Sequence, residues 1–169
     1  GNDQGEVIEQ IASVVYKHTK DSQYGIILYN GDNHYEDAPH LVCFEPDGLT
    51  KDFARRLGPS NAREPKNSPT FRLGLYNQWL EHKMTSLILS AGKSNHLNTP
   101  LCESLFSGLI NSLLWTGILV NNHKKPEKYS VRFNSHDKEK FIFAGSSGFF
   151  LPLVQPGSKV KKGQKIGEI

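Results

Sequence analysis

The sequence has only two cysteines in 169 residues, Cys43 and Cys102, and both sit inside apolar runs. Two such thiols make neither a disulfide framework nor a zinc finger. Both are expected to be buried free thiols in a reducing compartment, which points to a cytoplasmic location. Long hydrophobic runs are missing too. No stretch approaches the roughly 18 apolar residues that a membrane-spanning helix needs, so no membrane partner is expected. The opening "GNDQGEVIEQ" lacks a basic segment followed by an apolar one, so no signal peptide is visible. Charge of one sign is scarce as well. The net charge is +3, and four of the lysines sit together at Lys159, Lys161, Lys162 and Lys165. A cluster of that size reads as a solvated turn face, so no nucleic-acid partner is expected. No internal repeat and no low-complexity segment occurs.

What is present is ordinary globular material. Hydrophobic residues are 37% and charged residues 22%, enough to bury a core in one domain with a small appendage. Residues 5–20 place Val7, Ile8, Ile11, Ala12, Val14 and Val15 at helical spacing. "YGIILY" at 24–29 predicts a buried strand that runs into the Asn30-Gly31-Asp32-Asn33 loop. "HLVCF" at 40–44 predicts a second strand, and "LTKDFARRL" a short helix closed by Gly58-Pro59. Residues 59–69 hold three prolines and read as a loop. Residues 71–84 predict a helix with Phe71, Leu75 and Trp79 on one face. "TSLILS" at 85–90 and "TPLCES" at 99–104 each predict a strand. The run from Leu105 predicts a helix that ends near Gly117. Helices and strands therefore alternate over 1–120, which implies an α/β layer with a mixed, largely parallel sheet flanked by helices. After Pro126 the pattern changes. "YSVRFN", "KFIFAG" and "GFFLPLV" predict a small all-β module over 128–169, docked through Phe149, Phe150, Leu151 and Leu153.

Several stretches carry chemistry-bearing residues. The loop "YNGDNHYEDAPH" holds His34, His40, Asp32, Glu36 and Asp37 after a buried strand, where α/β sheets place their sites. Its spacing matches no strong metal motif, and a polar turn is the favoured reading. Glu103, between an apolar run and an apolar helix, reads either as a general base or acid in a cleft or as a helix-start residue favoured by the dipole. "SAGKSNHLN" has one glycine and so lacks the phosphate-loop pattern. Arg55, Arg56, Arg63 and Arg72 could clamp a carboxylate, although surface positions on a helix and a loop account for them.

The tail reads G-x-x-V-x-x-G-x-x-x-G-x-I from Gly157 to Ile169, preceded by "AGSSGFFLPLV". This resembles the C-terminal β module of the succinylglutamate desuccinylase/aspartoacylase family. Those are zinc-dependent deacylases with the zinc carboxypeptidase fold. "SQYGIILYNG" resembles that family's D-L-H-T-G strand, "APHLVCF" the strand after it, and "INSLLWTGIL" its v-x-n-v-L-x-x-L-G-m-L helix. "TPLCES" resembles its t-v-E-l-G strand, which makes Glu103 the catalytic residue. The resemblance implies hydrolysis of an amide bond in a small N-acyl amino acid or peptide, with Asn30 and His34 as substrate contacts.

The same resemblance exposes two departures. The family's H-G-x-E and D-L-N-R motifs lie upstream of Gly1, and neither occurs in this sequence. In register with D-L-H-T-G the chain reads Ile27-Leu28-Tyr29-Asn30-Gly31, so Tyr29 stands where the third zinc ligand belongs. Phenols ionise only near pH 10, which makes tyrosine a poor zinc ligand at neutral pH. The family implies zinc, but none is expected on this chain. A non-catalytic relative that binds or regulates is therefore the competing expectation. The sequence leaves the oligomeric state open.

Overall fold

The computed structural model describes residues 3–31, 36–64, 74–135 and 140–169. Five strands form the main sheet: β1 (Tyr24–Gly31), β2 (Asp37–Val42), β3 (Asn61–Arg63), β4 (Thr85–Lys93) and β5 (Arg132–Asn134). Their order is β1-β4-β2-β3-β5. Strands β1 and β4 run parallel, as do β2, β3 and β5 with one another, and the β2–β4 pair is antiparallel. This is the mixed, largely parallel sheet that the sequence implies. Strand β4 is buried over most of its length because it lies between two neighbours and under helices on both faces.

Four helices flank the sheet: α1 (Asp3–Thr19), α2 (Gly48–Ala54), α3 (Leu75–Glu81) and α4 (Thr99–Trp115). One face carries the main core. There Leu41, Cys43, Ala62, Leu87 and Leu89 pack against Phe53 and Leu57 from the α2 segment, with Leu105, Leu109 and Trp115 of α4 beside them. Helix α4 crosses very close to the end of α2. A Cβ on Gly108 would lie 2.1 Å from the Leu57 carbonyl oxygen, so only glycine fits. On the other face Gly25 leaves room for the Trp79 ring, 2.6 Å from where its Cβ would stand. Trp79 Nε1 donates to Thr19 Oγ1 at 3.0 Å and ties α3 to α1.

Local chemistry sets the helix starts. Asp47 accepts the Thr50 amide at 2.7 Å, and Asn98 accepts the Leu101 amide at 3.1 Å. Buried Asn111 joins three chain segments. Its Nδ2 donates to the carbonyls of Arg56 (2.8 Å) and Glu127 (3.0 Å), and its Oδ1 accepts the Glu127 amide at 2.7 Å. Among the described residues no helix is long and apolar enough to cross a membrane.

Several sequence expectations need correction. Residues 99–104 are the start of α4 and not a strand, because Asn98 caps them and Pro100 sits in the first turn. Asn61–Arg63, expected in a loop, is a strand. Residues 132–134, expected in the separate β module, join the main sheet beside β3. "KFIFAG" forms no strand over its described residues. The helix expected over 71–84 is described only from Gly74 on; Phe71 lies outside the described residues.

The tail's own sheet is one short antiparallel pair, β6 (Leu151–Pro152) with β7 (Gly167–Glu168), extended by the Leu153 amide donating to the Ile166 carbonyl at 2.9 Å. The apolar run expected to dock it is largely exposed, Phe149 at 95%. Gly157, at φ +82°, instead brings the tail turn against Ala38 at the start of β2. The lysines at 159, 161, 162 and 165 are exposed, as the sequence implies. Cys102 is exposed while Cys43 is buried, so only one of the two expected buried thiols is buried.

Candidate functional site

Strands β1 and β4 end together, and antiparallel β2 begins at the same end of the sheet. Three side chains come into register there. Tyr29 pairs with Ser90 across β1–β4, and His40 pairs with Ser90 across β2–β4. The register slips just beyond, between Tyr29 and Gly31 on one side and between Asp37 and His40 on the other. Gly92, at φ +76°, absorbs this irregularity in β4.

The slip lets Asp37 reach back to Ser90. The Ser90 hydroxyl, almost fully buried, donates to Asp37 Oδ2 at 2.8 Å. His40 Nδ1 lies 2.8 Å from the Ala38 carbonyl, so Nδ1 carries the proton. Among the described residues its buried Nε2 has no hydrogen-bond partner.

Two joined cavities open on the α4 side of this strand end. The first, of about 360 Å³, is lined by Leu28, Leu89, Ala91, Leu105, Phe106 and Leu109, with Asn30 as its polar member beside Tyr29 and Cys102. The second, of about 490 Å³, adds Lys93, Ser94, Asn95, His96 and Asn98. Asn30, Ala91, Cys102 and Leu105 line both.

The expected site residues fare differently. Asn30 is exposed at the rim of both cavities. Glu103 is exposed on α4 and lines neither cavity, so its placement at a strand end does not hold. His34 lies outside the described residues. Ser90, Asp37 and His40 are the residues that sequence reasoning missed as a group. The signal was the glycine of the t-v-E-l-G pattern. "TPLCES" has no glycine after its glutamate, whereas Ile88-Leu89-Ser90-Ala91-Gly92 has one two residues after Ser90.

No family model and no curated protein matches the chain. Solved structures do. A succinylglutamate desuccinylase/aspartoacylase structure from Rhodobacter sphaeroides aligns at a TM-score of 0.64 and 13% identity, over 91% of this chain and 49% of that one. The ectoine utilization protein EutE (DoeB) of Ruegeria pomeroyi aligns at 0.66 and 15%, over 90% and 51%. A succinylglutamate desuccinylase from Silicibacter aligns at 0.65 and 12%, over 90% and 49%. The chain has the succinylglutamate desuccinylase/aspartoacylase fold. It spans about half the length of these structures.

The zinc that this fold implies can be tested against the donors present. At this strand end the side chains are the Tyr29 phenol, the Ser90 hydroxyl, the His40 ring, and the Asp37 carboxylate, which Ser90 already engages. Among the described residues no group of three or more His, Cys, Asp or Glu side chains could hold a metal ion. This donor set does not fit zinc.

Proposed function

We propose that the chain is a relative of these deacylases that binds a small N-acyl amino acid or peptide at the β1–β4 strand end without hydrolysing it. The observation behind this reading is the Ser90–Asp37 pair. In this reading a neutral hydroxyl, tied to a carboxylate, takes the place of the family's proton-shuttling glutamate. The base in hydrogen-bond reach of the Ser90 hydroxyl is the Asp37 carboxylate, a weak one for taking a serine proton. Small-molecule binding draws support from the two joined cavities at the same strand end, which Asn30 lines and Ser90, Asp37 and His40 do not, and from the product-bound structure of the Ruegeria protein with the same fold.

A hydrolase reading draws on Asp37, a carboxylate one hydrogen bond from the glutamate position. The two readings separate in one experiment. The chain is incubated with a panel of N-acyl amino acids, with and without added zinc, and followed by ligand-observed NMR. Saturable binding with no free amino acid is the expected result. Steady release of free amino acid that Asp37→Asn abolishes would overturn the binding reading in favour of the hydrolase.

A further inference from the structure

We infer that the joined cavities take an amphipathic carboxylate, specifically an N-acyl amino acid whose acyl group is a medium-length alkyl chain or an aromatic ring. This deepens the proposed function and rests on it for the amino-acid half of the ligand.

The first cavity carries the argument for the acyl group. Its walls come from three elements at once: Leu28 from β1, Leu89 and Ala91 from β4, and Leu105, Phe106 and Leu109 from α4. Leu28 and Phe106 remain 64% and 63% exposed, so this wall is wet in the free chain. An acetyl or succinyl group would leave it wet. An alkyl or aromatic group would cover it, and such a gain scales with the apolar area removed from water.

The second cavity carries the argument for the head. Among the described residues lining the two cavities none is a carboxylate, while Lys93 supplies positive charge and His96 adds ring nitrogens. An anionic head is therefore favoured there. Asn30 and Asn98 add amide groups that can hydrogen-bond an N-acyl linkage. The start of α4 adds little of its own, because Asn98 already occupies the Leu101 amide and Pro100 has no N–H. Cys102 sits where the two cavities meet and reports on occupancy.

The test is calorimetric titration of the full chain with N-acetyl-, N-butanoyl-, N-hexanoyl- and N-octanoylglycine, with octanoate and octanamide as controls. Affinity should climb along the series, by up to about fourfold per added methylene, the equivalent of ~0.8 kcal/mol. Octanamide, without the charge, should bind at least tenfold more weakly than N-octanoylglycine. Phe106→Asp, at an exposed wall position, should flatten the chain-length dependence. Lys93→Gln should weaken every acid by a similar factor and leave that dependence intact. N-octanoylglycine should also slow alkylation of Cys102.

The outcomes separate. Equal binding of the acetyl and octanoyl compounds would overturn this inference and leave the proposed function standing. Octanoate binding as tightly as N-octanoylglycine would overturn the amino-acid half and the proposed function with it. No binding by any member overturns both. Concentration-dependent self-association that Phe106→Asp abolishes would assign the groove to a second copy of the chain and overturn the ligand inference.

Discussion

Tyr29 and Ser90 are register partners across the parallel β1–β4 ladder. The Tyr29 phenol and the Ser90 hydroxyl thus stand on neighbouring strands at one end of the sheet, and the Asp37 carboxylate completes the row by accepting from Ser90.

Ser90→Glu introduces a second carboxylate in a buried position beside Asp37. Two neighbouring carboxylates disfavour joint ionisation and raise the pKa of one of them. A folded pKa above its unfolded value removes stability as pH rises through the unfolded value. The variant is expected to melt several degrees lower than the parent at pH 7, with the gap narrowing toward pH 4. Adding Asp37→Asn should recover most of the loss. Equal melting temperatures for parent and single variant at neutral pH would dismiss this account.

Asn111→Leu should be costly. The substitution strands two carbonyls and one amide that the side chain now satisfies. Leaving buried polar groups unpaired costs about 1–3 kcal/mol each, and partial access to water reduces the sum to about 3 kcal/mol. Urea unfolding would show it as a lower midpoint with an unchanged slope. A shift under 1 kcal/mol would mean water already reaches this junction.

Asp47 caps α2, and its hydrogen bond from Thr50 holds its carboxyl below the ordinary value of 3.8. A depressed folded pKa gives stability that is present above about pH 4 and lost as pH falls further. Asp47→Ala is expected to cost about 1 kcal/mol at pH 7. It should cost progressively less below pH 4. A cost independent of pH from 7 to 3 would remove the charge from the argument.

The two thiols should separate chemically. Burial, more than the nearby Glu64 charge, pushes the Cys43 thiol up to about 12, so it is a thiol and not a thiolate at any working pH. Cys102 is exposed at the cavity junction. One alkylation per native chain at pH 8, mapped by peptide mass to Cys102, is expected, with Cys43 reacting only after unfolding. Native labelling of Cys43 at a comparable rate would contradict its burial.

The sheet was legible because β1, β2 and β4 each carry apolar runs bounded by turn residues, and those runs survive in the sequence whatever packs on them. Strand β3 was not legible. "NAR" has no strand signature of its own, and it is extended because β2 and β5 flank it. The first turn of α4 misled because "TPLCES" is apolar without helical spacing. Its helical state comes from the Asn98 cap, a side-chain hydrogen bond that needs geometry to be seen. The candidate site was partly legible. Asn30 was legible at a strand end because the Asn30-Gly31 turn closes an apolar run. The helical setting of Glu103 was not legible, because it follows from the same Asn98 cap. The Ser90–Asp37 pair depends on the register slip at Gly92, which no local pattern encodes. The tail's turn glycines were legible, but its exposed aromatic run was not, because apolar composition alone does not say what it touches.

Among the described residues strand β1 is paired only on its β4 side, and it follows α1, whose Val7, Ile11 and Val14 are exposed. The α1–β1 segment is therefore anchored by one ladder and by the α3 contact through Trp79, while β2, β3 and β4 share the deep core. Such a segment has its own, smaller opening free energy. Amide hydrogens of β1 should exchange through that opening, well before those of β4's β2-facing amides, which must wait for global unfolding. Tyr29 and Asn30 lie on the side of the site that opens first. Its geometry is thus set by an element that detaches before the rest of the molecule unfolds.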